Sequence, residues 1–153
     1  MEQEMNTSNE TLITTLATLE RTGRFRLLRR FKQHGSYSVY DHSLNVARAS
    51  LSIAERLHLK LDYGALARGA LLHDYFLYDW HTPDPTRKKH AFFHPRVAWD
   101  NASKDYSLGR TEEDIIRRHM FPIVPIPPRT VEGWIVCIMD TVCAAKETIL
   151  RRG

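Results

Sequence analysis

Four histidines and two aspartates stand where their side chains could hold metal: His42, the adjacent pair His73-Asp74, His94, His119 and Asp140. Neutral imidazole nitrogens combined with carboxylate oxygens suit iron, manganese, cobalt, nickel or zinc, whereas magnesium and calcium favour shells richer in oxygen. Six such donors are enough for two divalent transition-metal ions, with iron or manganese the first expectation. Each of the six lies in or beside an apolar helical pattern, where an unpaired imidazole or carboxylate is costly to bury. A single histidine on an apolar face is more often a hydrogen-bonded core residue, so it is the joint placement of six that points to a cation site. His34, His58, His81 and His90 lack that setting: His58 falls at a helix end and the others in loops. His90, four residues before His94, is the nearest rival ligand.

The elements that must position these donors follow from periodicity. Residues 9–20 and 24–32 read as helices divided by Gly23, and residues 35–39 as a loop. Residues 41–57 align His42, Val46, Ala49, Ile53 and Leu57 on one face. Asp62 is placed to cap a helix on which Leu66, Ala70 and His73 share a line, so His73 and Asp74 extend an apolar face. Residues 80–89, interrupted by Pro83 and Pro85, read as a loop near the site. Pro95 suits the first position of a helix, which would make His94 its N-cap. Thr111 with Glu112, Glu113 and Asp114 opens another helix, carrying Ile115, Ile116 and His119 on one face. Beyond an extended turn over residues 122–128, residues 130–150 form the most apolar helix, which surrounds Asp140 with Val136, Cys137, Cys143 and Ala144. A lone carboxylate there costs several kcal/mol on an order-of-magnitude estimate, so removing Asp140 should abolish metal binding yet could stabilise the metal-free chain.

Length and composition set the frame. With 153 residues and 42% hydrophobic content, the chain fits one all-α domain, residues 1–36 forming N-terminal helices and 37–150 a metal-binding core. No 18-residue apolar run and no cleavable leader is evident, which gives the expectation of a cytoplasmic protein without a membrane partner. Cys137 and Cys143, six apart on one helix, point in different directions and read as reduced core thiols. The formal charge of +4 is compatible with an anionic ligand. Much of it sits in Arg21, Arg24, Arg26, Arg29, Arg30 and Lys32, interleaved with Phe25, Leu27, Leu28 and Phe31 as on an amphipathic helix with a solvated basic face. Nucleic acid is therefore not the favoured partner.

His42 in Tyr40-Asp41-His42-Ser43-Leu44, then Leu71-Leu72-His73-Asp74 after 31 residues, then the distant Asp140 resemble the H…HD…D signature of the HD-domain metal-dependent phosphohydrolase superfamily. The likeness runs from about residue 37 to 146. His94 in Phe92-Phe93-His94-Pro95 and His119 in Ile115-Ile116-Arg117-Arg118-His119 resemble the two additional histidines of the dinuclear branch. The resemblance implies an HD-type helical bundle in which His42, His73, Asp74 and Asp140 hold one ion, His94 and His119 hold a second, and Asp74 bridges them as the central catalytic carboxylate. It also implies hydrolysis of a phosphoester or phosphoanhydride in a small, nucleotide-type substrate. Leu77 stands where many dinuclear relatives carry a phosphate-contacting lysine and some mononuclear nucleotidases a glutamate. Asp79, Arg96, Lys104 and Arg117 are the candidate substitutes for substrate contact, and Tyr75, Phe76, Tyr78 and Trp80 could stack on a base or pack the core. Two other readings stay open at this point: a mixed-valent di-iron oxygenase of the same superfamily, and a non-enzymatic nucleic-acid or partner-binding module built on the basic segment.

Overall fold

A computed structural model describes residues 2–79 and 90–151, with no account of the side chains of residues 2–6, 90, 91 and 151. Helix α1 (Glu2–Thr22) leads into a 3-10 helix (Phe25–Arg30) and an antiparallel hairpin of β1 (Lys32–His34) and β2 (Tyr37–Ser38). Helices α2 (Val39–Arg56), α3 (Tyr63–Leu72), α4 (His90–Asp105), α5 (Arg110–Arg118) and α6 (Val131–Arg151) follow. The described chain is thus one all-α domain, as its periodicity implies.

Residues 24–32 differ from the regular helix expected of them. Phe25 and Leu28 are the buried pair, and a spacing of three brings side chains into register on a 3-10 helix rather than an α-helix. Their basic neighbours stay exposed, two of them in ion pairs: Arg24 with Asp105 at 2.8 Å, and Arg29 with Glu20 at 3.4 Å. The expected loop at 35–39 contains instead the hairpin turn, β2 and the first residue of α2. Gly35 takes the turn with φ of 58°, a left-handed conformation that glycine adopts at little cost.

Ser38 starts α2 with a reciprocal cap: its hydroxyl accepts from the Asp41 N–H at 3.0 Å, and the Asp41 carboxylate accepts from the Ser38 N–H at 3.1 Å. The buried face of α2 lies one residue on from the expected stripe. Ala47, Ser50 and Ala54 are buried, whereas Leu57 is 60% exposed, leaving His42 at the edge of the buried arc. On α3 the expected cap is present, with Asp62 accepting from the Ala65 N–H at 2.9 Å. Helix α4 begins at His90, so Pro95 lies inside it rather than at its first position. The cost is one backbone hydrogen bond, since position 95 lies just past the first four N–H groups, which have no intrahelical partner in any helix.

Four helices close a ring: α2 packs on α3, α3 on α5, α5 on α6, and α6 back on α2. Helix α1 lies across α2 and α3, and α4 lies against α5. Gly69 sets the approach of α3 to α5, since a Cβ there would come within 2.9 Å of Ile115 Cβ. Asp114 joins α5 to α6 by accepting from the Thr130 hydroxyl at 2.6 Å and the Arg129 and Thr130 N–H groups at 3.0 Å each. The Thr130 hydroxyl in turn accepts from the Gly133 N–H at 2.9 Å. Thr130 therefore caps α6, and Asp114 holds that cap in place, beyond its expected role in the first turn of its own helix.

Helix α6 buries Val136, Cys137 and Cys143, both thiols free. Its other side leaves Val131, Trp134, Ile138 and Ile149 exposed, so only part of its apolar surface serves the core. No helix among the described residues is long and apolar enough to cross a membrane. The expected loop at 80–89, with Trp80, His81, Arg87, Lys88 and Lys89, lies outside the described residues.

Candidate metal centre

The six donors meet inside the helical ring. His42 sits in the first turn of α2, His73 is the residue that ends α3 with Asp74 next to it, and His119 ends α5 in the same way. Asp140 enters from the middle of α6, and His94 from α4. His42, His73, Asp74 and Asp140 bring one ligand atom each within 4.8 Å of one another, as do Asp74, His94 and His119. The two groups share Asp74, and its oxygens are divided between them. Oδ2 lies 3.3 Å from His73 Nε2 and 3.6 Å from His42 Nε2. Oδ1 lies 3.2 Å from His94 Nε2 and 3.3 Å from His119 Nε2.

Hydrogen bonds on the far side of the rings set which nitrogen faces inward. His73 Nδ1 lies 2.6 Å from the Ala70 carbonyl and His119 Nδ1 lies 2.8 Å from the Ile116 carbonyl. A carbonyl only accepts, so each Nδ1 carries the proton, and in the neutral ring Nε2 keeps its lone pair. Both histidines find these acceptors because they stand just past a helix end, where the last carbonyls lack intrahelical partners. Two helix C-termini thus direct their negative ends at the centre, which favours positive charge there.

Side-chain contacts alone do not satisfy the cluster. His73 Nε2 and Asp74 Oδ1 are buried without a hydrogen-bond partner, although charged or polar atoms lie about them at 3.2–3.3 Å. Elsewhere in the cluster His42 Nε2 lies 2.8 Å from Asp140 Oδ1 and His94 Nε2 lies 2.9 Å from His119 Nε2, so the two unpartnered atoms mark the point on which the other groups converge. Nitrogen lone pairs and carboxylate oxygens converging in a buried space form a donor set that fits divalent transition metals.

Electrostatics lead to the same chemistry. Burial would lower the His42 pKa, but hydrogen bonds to Asp140 and Glu147 outweigh it and push the value to about 9. His73 is likewise held well above the ordinary imidazole value, burial being outweighed by the charges of Asp74 and Asp140. Burial would raise Asp74 and Asp140, yet the adjacent His73 charge and the other imidazoles crowded about their oxygens hold both far below the usual carboxylate range. His119 moves down, because burial prevails over the attraction of Asp74. Carboxylates kept ionised in a buried site are compensated here by protons on imidazole, the role a bound cation would otherwise fill.

None of the four expected substrate residues belongs to either donor group. Asp79 is exposed five residues after Asp74, and Arg96 is exposed two residues after His94. Lys104 lies in the last turn of α4, about 15 Å along the axis from His94 at 1.5 Å per residue. Arg117 pairs with Glu113 at 3.0 Å on the outside of α5. Tyr75 and Phe76 are core residues, Phe76 setting its ring edge-on to His94 with centroids 5.7 Å apart.

Three residues at the centre escaped the sequence reading. Gln33 on β1 donates to Asp74 Oδ2 at 3.1 Å. His34, expected to be a loop residue without metal context, lies on the same strand with its ring centroid 5.7 Å from that of His42. Glu147 on α6 lies 2.8 Å from His42 Nδ1, and with His34 and His42 it forms a third close set of donor atoms. The signal for Glu147 was available: it follows Asp140 by seven residues, two helical turns, and so shares its face. Gln33 and His34 offered none, because only the hairpin brings them in.

No curated protein and no solved structure matches the chain. The family model of the HD domain matches residues 39–145, well over half of the chain and a span that contains all six donors. The chain belongs to the HD domain family.

Proposed function

We propose that this protein is a dinuclear, metal-dependent phosphohydrolase acting on a small, anionic, nucleotide-type phosphoester or phosphoanhydride. His42, His73, Asp74 and Asp140 would hold one ion, His94 and His119 the other, with Asp74 common to both. The observation that carries this reading is the division of the Asp74 oxygens between two pairs of histidines. A site for one ion has no use for the second pair. Membership of the HD family supports hydrolysis as the reaction class.

When bound, two such ions supply Lewis acidity and lower the pKa of a water towards neutrality. The residues of the chain supply position. Asp74 fixes the separation of the donor groups, Gln33 holds Asp74 Oδ2, and the Ala70 and Ile116 carbonyls hold the rings of His73 and His119. Asp140 keeps 16% of its side chain exposed and so marks a side on which substrate could enter. With Arg117 committed to Glu113 and Lys104 distant, substrate contact falls to Asp79 and Arg96.

Elemental analysis of protein purified without added metal, followed by a phosphate-release screen over dinucleoside polyphosphates, cyclic dinucleotides and mononucleotides, tests the proposal. We expect about two iron or manganese ions per chain and anaerobic phosphate release with manganese. Turnover that requires dioxygen and iron would transfer the centre to the oxygenase class. Absence of metal binding would reject the reading altogether.

A further inference from the structure

We infer that Glu147, anchored by Asn45, is the positioning residue that delivers His42 to the metal centre. This inference rests on the proposed metal-binding role of that centre. His73 and His119 draw their Nδ1 acceptors from carbonyls three residues back, at helix ends. His42 has no such resource. It stands in the first turn of α2, where main-chain carbonyls point along the helix towards N–H groups of the next turn. An acceptor for its Nδ1 must therefore come from elsewhere, and α6 provides one 105 residues away, with Glu147 Oε2 at 2.8 Å.

The second oxygen of Glu147 is also committed: Oε1 accepts from Asn45 Nδ2 at 3.1 Å. Asn45 lies three residues after His42, on the same side of α2, so one carboxylate spans two side chains of one helix face. Glu147 is only 2% exposed, and His42 is fully buried. A proton held at Nδ1 leaves Nε2 as the metal-facing nitrogen, and a carboxylate partner also makes that nitrogen a stronger donor. Coordination by Glu147 itself, in a third site with His34 and His42, would oblige one imidazole to ligate through both nitrogens. The ordinary hydrogen-bond distance from Glu147 to His42 favours orientation instead.

The test compares wild type, Glu147→Ala, Glu147→Gln and Asn45→Ala as folded full-length proteins checked by circular dichroism. Zinc affinity is read by chelator competition, and the His42 tautomer by 15N shifts in the zinc-loaded state. We expect Glu147→Ala to weaken zinc binding by about 10- to 100-fold and to broaden or exchange the His42 Nδ1–H signal. Glu147→Gln, whose amide oxygen can still accept that proton, should restore most of the affinity and the tautomer, and Asn45→Ala should fall between the two. A Glu147→Ala protein that folds and binds zinc like wild type overturns the positioning role while leaving the metal centre intact. Loss of one ion from a stoichiometry of three would assign Glu147 as a ligand and overturn it as well. A wild-type protein that binds no metal removes the proposed function, and this inference with it.

Discussion

Asp74 serves two donor groups through different oxygens, so its loss cannot be confined to one ion. Asp74→Ala is expected to abolish turnover and deplete both ions, whereas His94→Ala or His119→Ala should remove about half of the metal, as elemental analysis would reveal. Asp140 is a different case from the lone carboxylate expected of an apolar helix: it accepts from His42 Nε2 at 2.8 Å and keeps some solvent contact. Asp140→Ala should therefore give the metal-free protein no gain in stability, since it strips a partner from a buried imidazole. A pH series reports on its partner, His42. The His42 pKa is raised from its unfolded value near 6.5 to about 9, so its contribution to metal-free stability is complete below about pH 6.5 and lost as pH rises towards 9. Metal binding must displace that proton, so affinity should increase over the same interval. A melting temperature of the metal-free protein that climbs from pH 7 to 9 would contradict the assignment.

Between residue and fold, α3 and α5 act as a pair, each ending in a histidine of the central cluster, and the two rings meet with centroids 4.8 Å apart. Gly69→Ala would press on Ile115 and separate the two helices, with an expected loss of about 1–3 kcal/mol in denaturant unfolding and weaker metal binding despite touching no donor. Asp114→Ala should cost about 0.5–2 kcal/mol by releasing the Thr130 side chain that caps α6. Unchanged unfolding midpoints in both variants would refute this account of the packing. Helices were legible in the sequence where cap and apolar period agreed, as at Asp62 and along α3. The hairpin was not, because strands of three and two residues are too short to express an alternation. The start of α4 was misplaced because proline at a first helical position and proline inside a helix look alike without the residues that pack around them. The six residues that meet at the centre could be picked out by type and spacing, whereas Gln33 could not, since it becomes a neighbour of the centre only through the hairpin, and Glu147 was marked only by its place two turns after Asp140.

At the scale of the whole molecule, a cation that binds the closed helical ring and not the unfolded chain links loading to stability. Free metal at a hundred times its Kd should stabilise the protein by about 2.7 kcal/mol, and a chelator should reverse the gain in a thermal melt. The convergence of the α3 and α5 C-termini on Asp74 and Asp140 has a further effect on the order in which partners can arrive. Without ions the pocket sets three carboxylates and two negative helix ends against the protons on His42 and His73, which leaves no surplus of positive charge to hold phosphate. Occupation by two divalent ions would invert that field. Association is therefore expected to be sequential, metal first and anion second, and inorganic phosphate titrated calorimetrically should bind the loaded protein and ignore the stripped one.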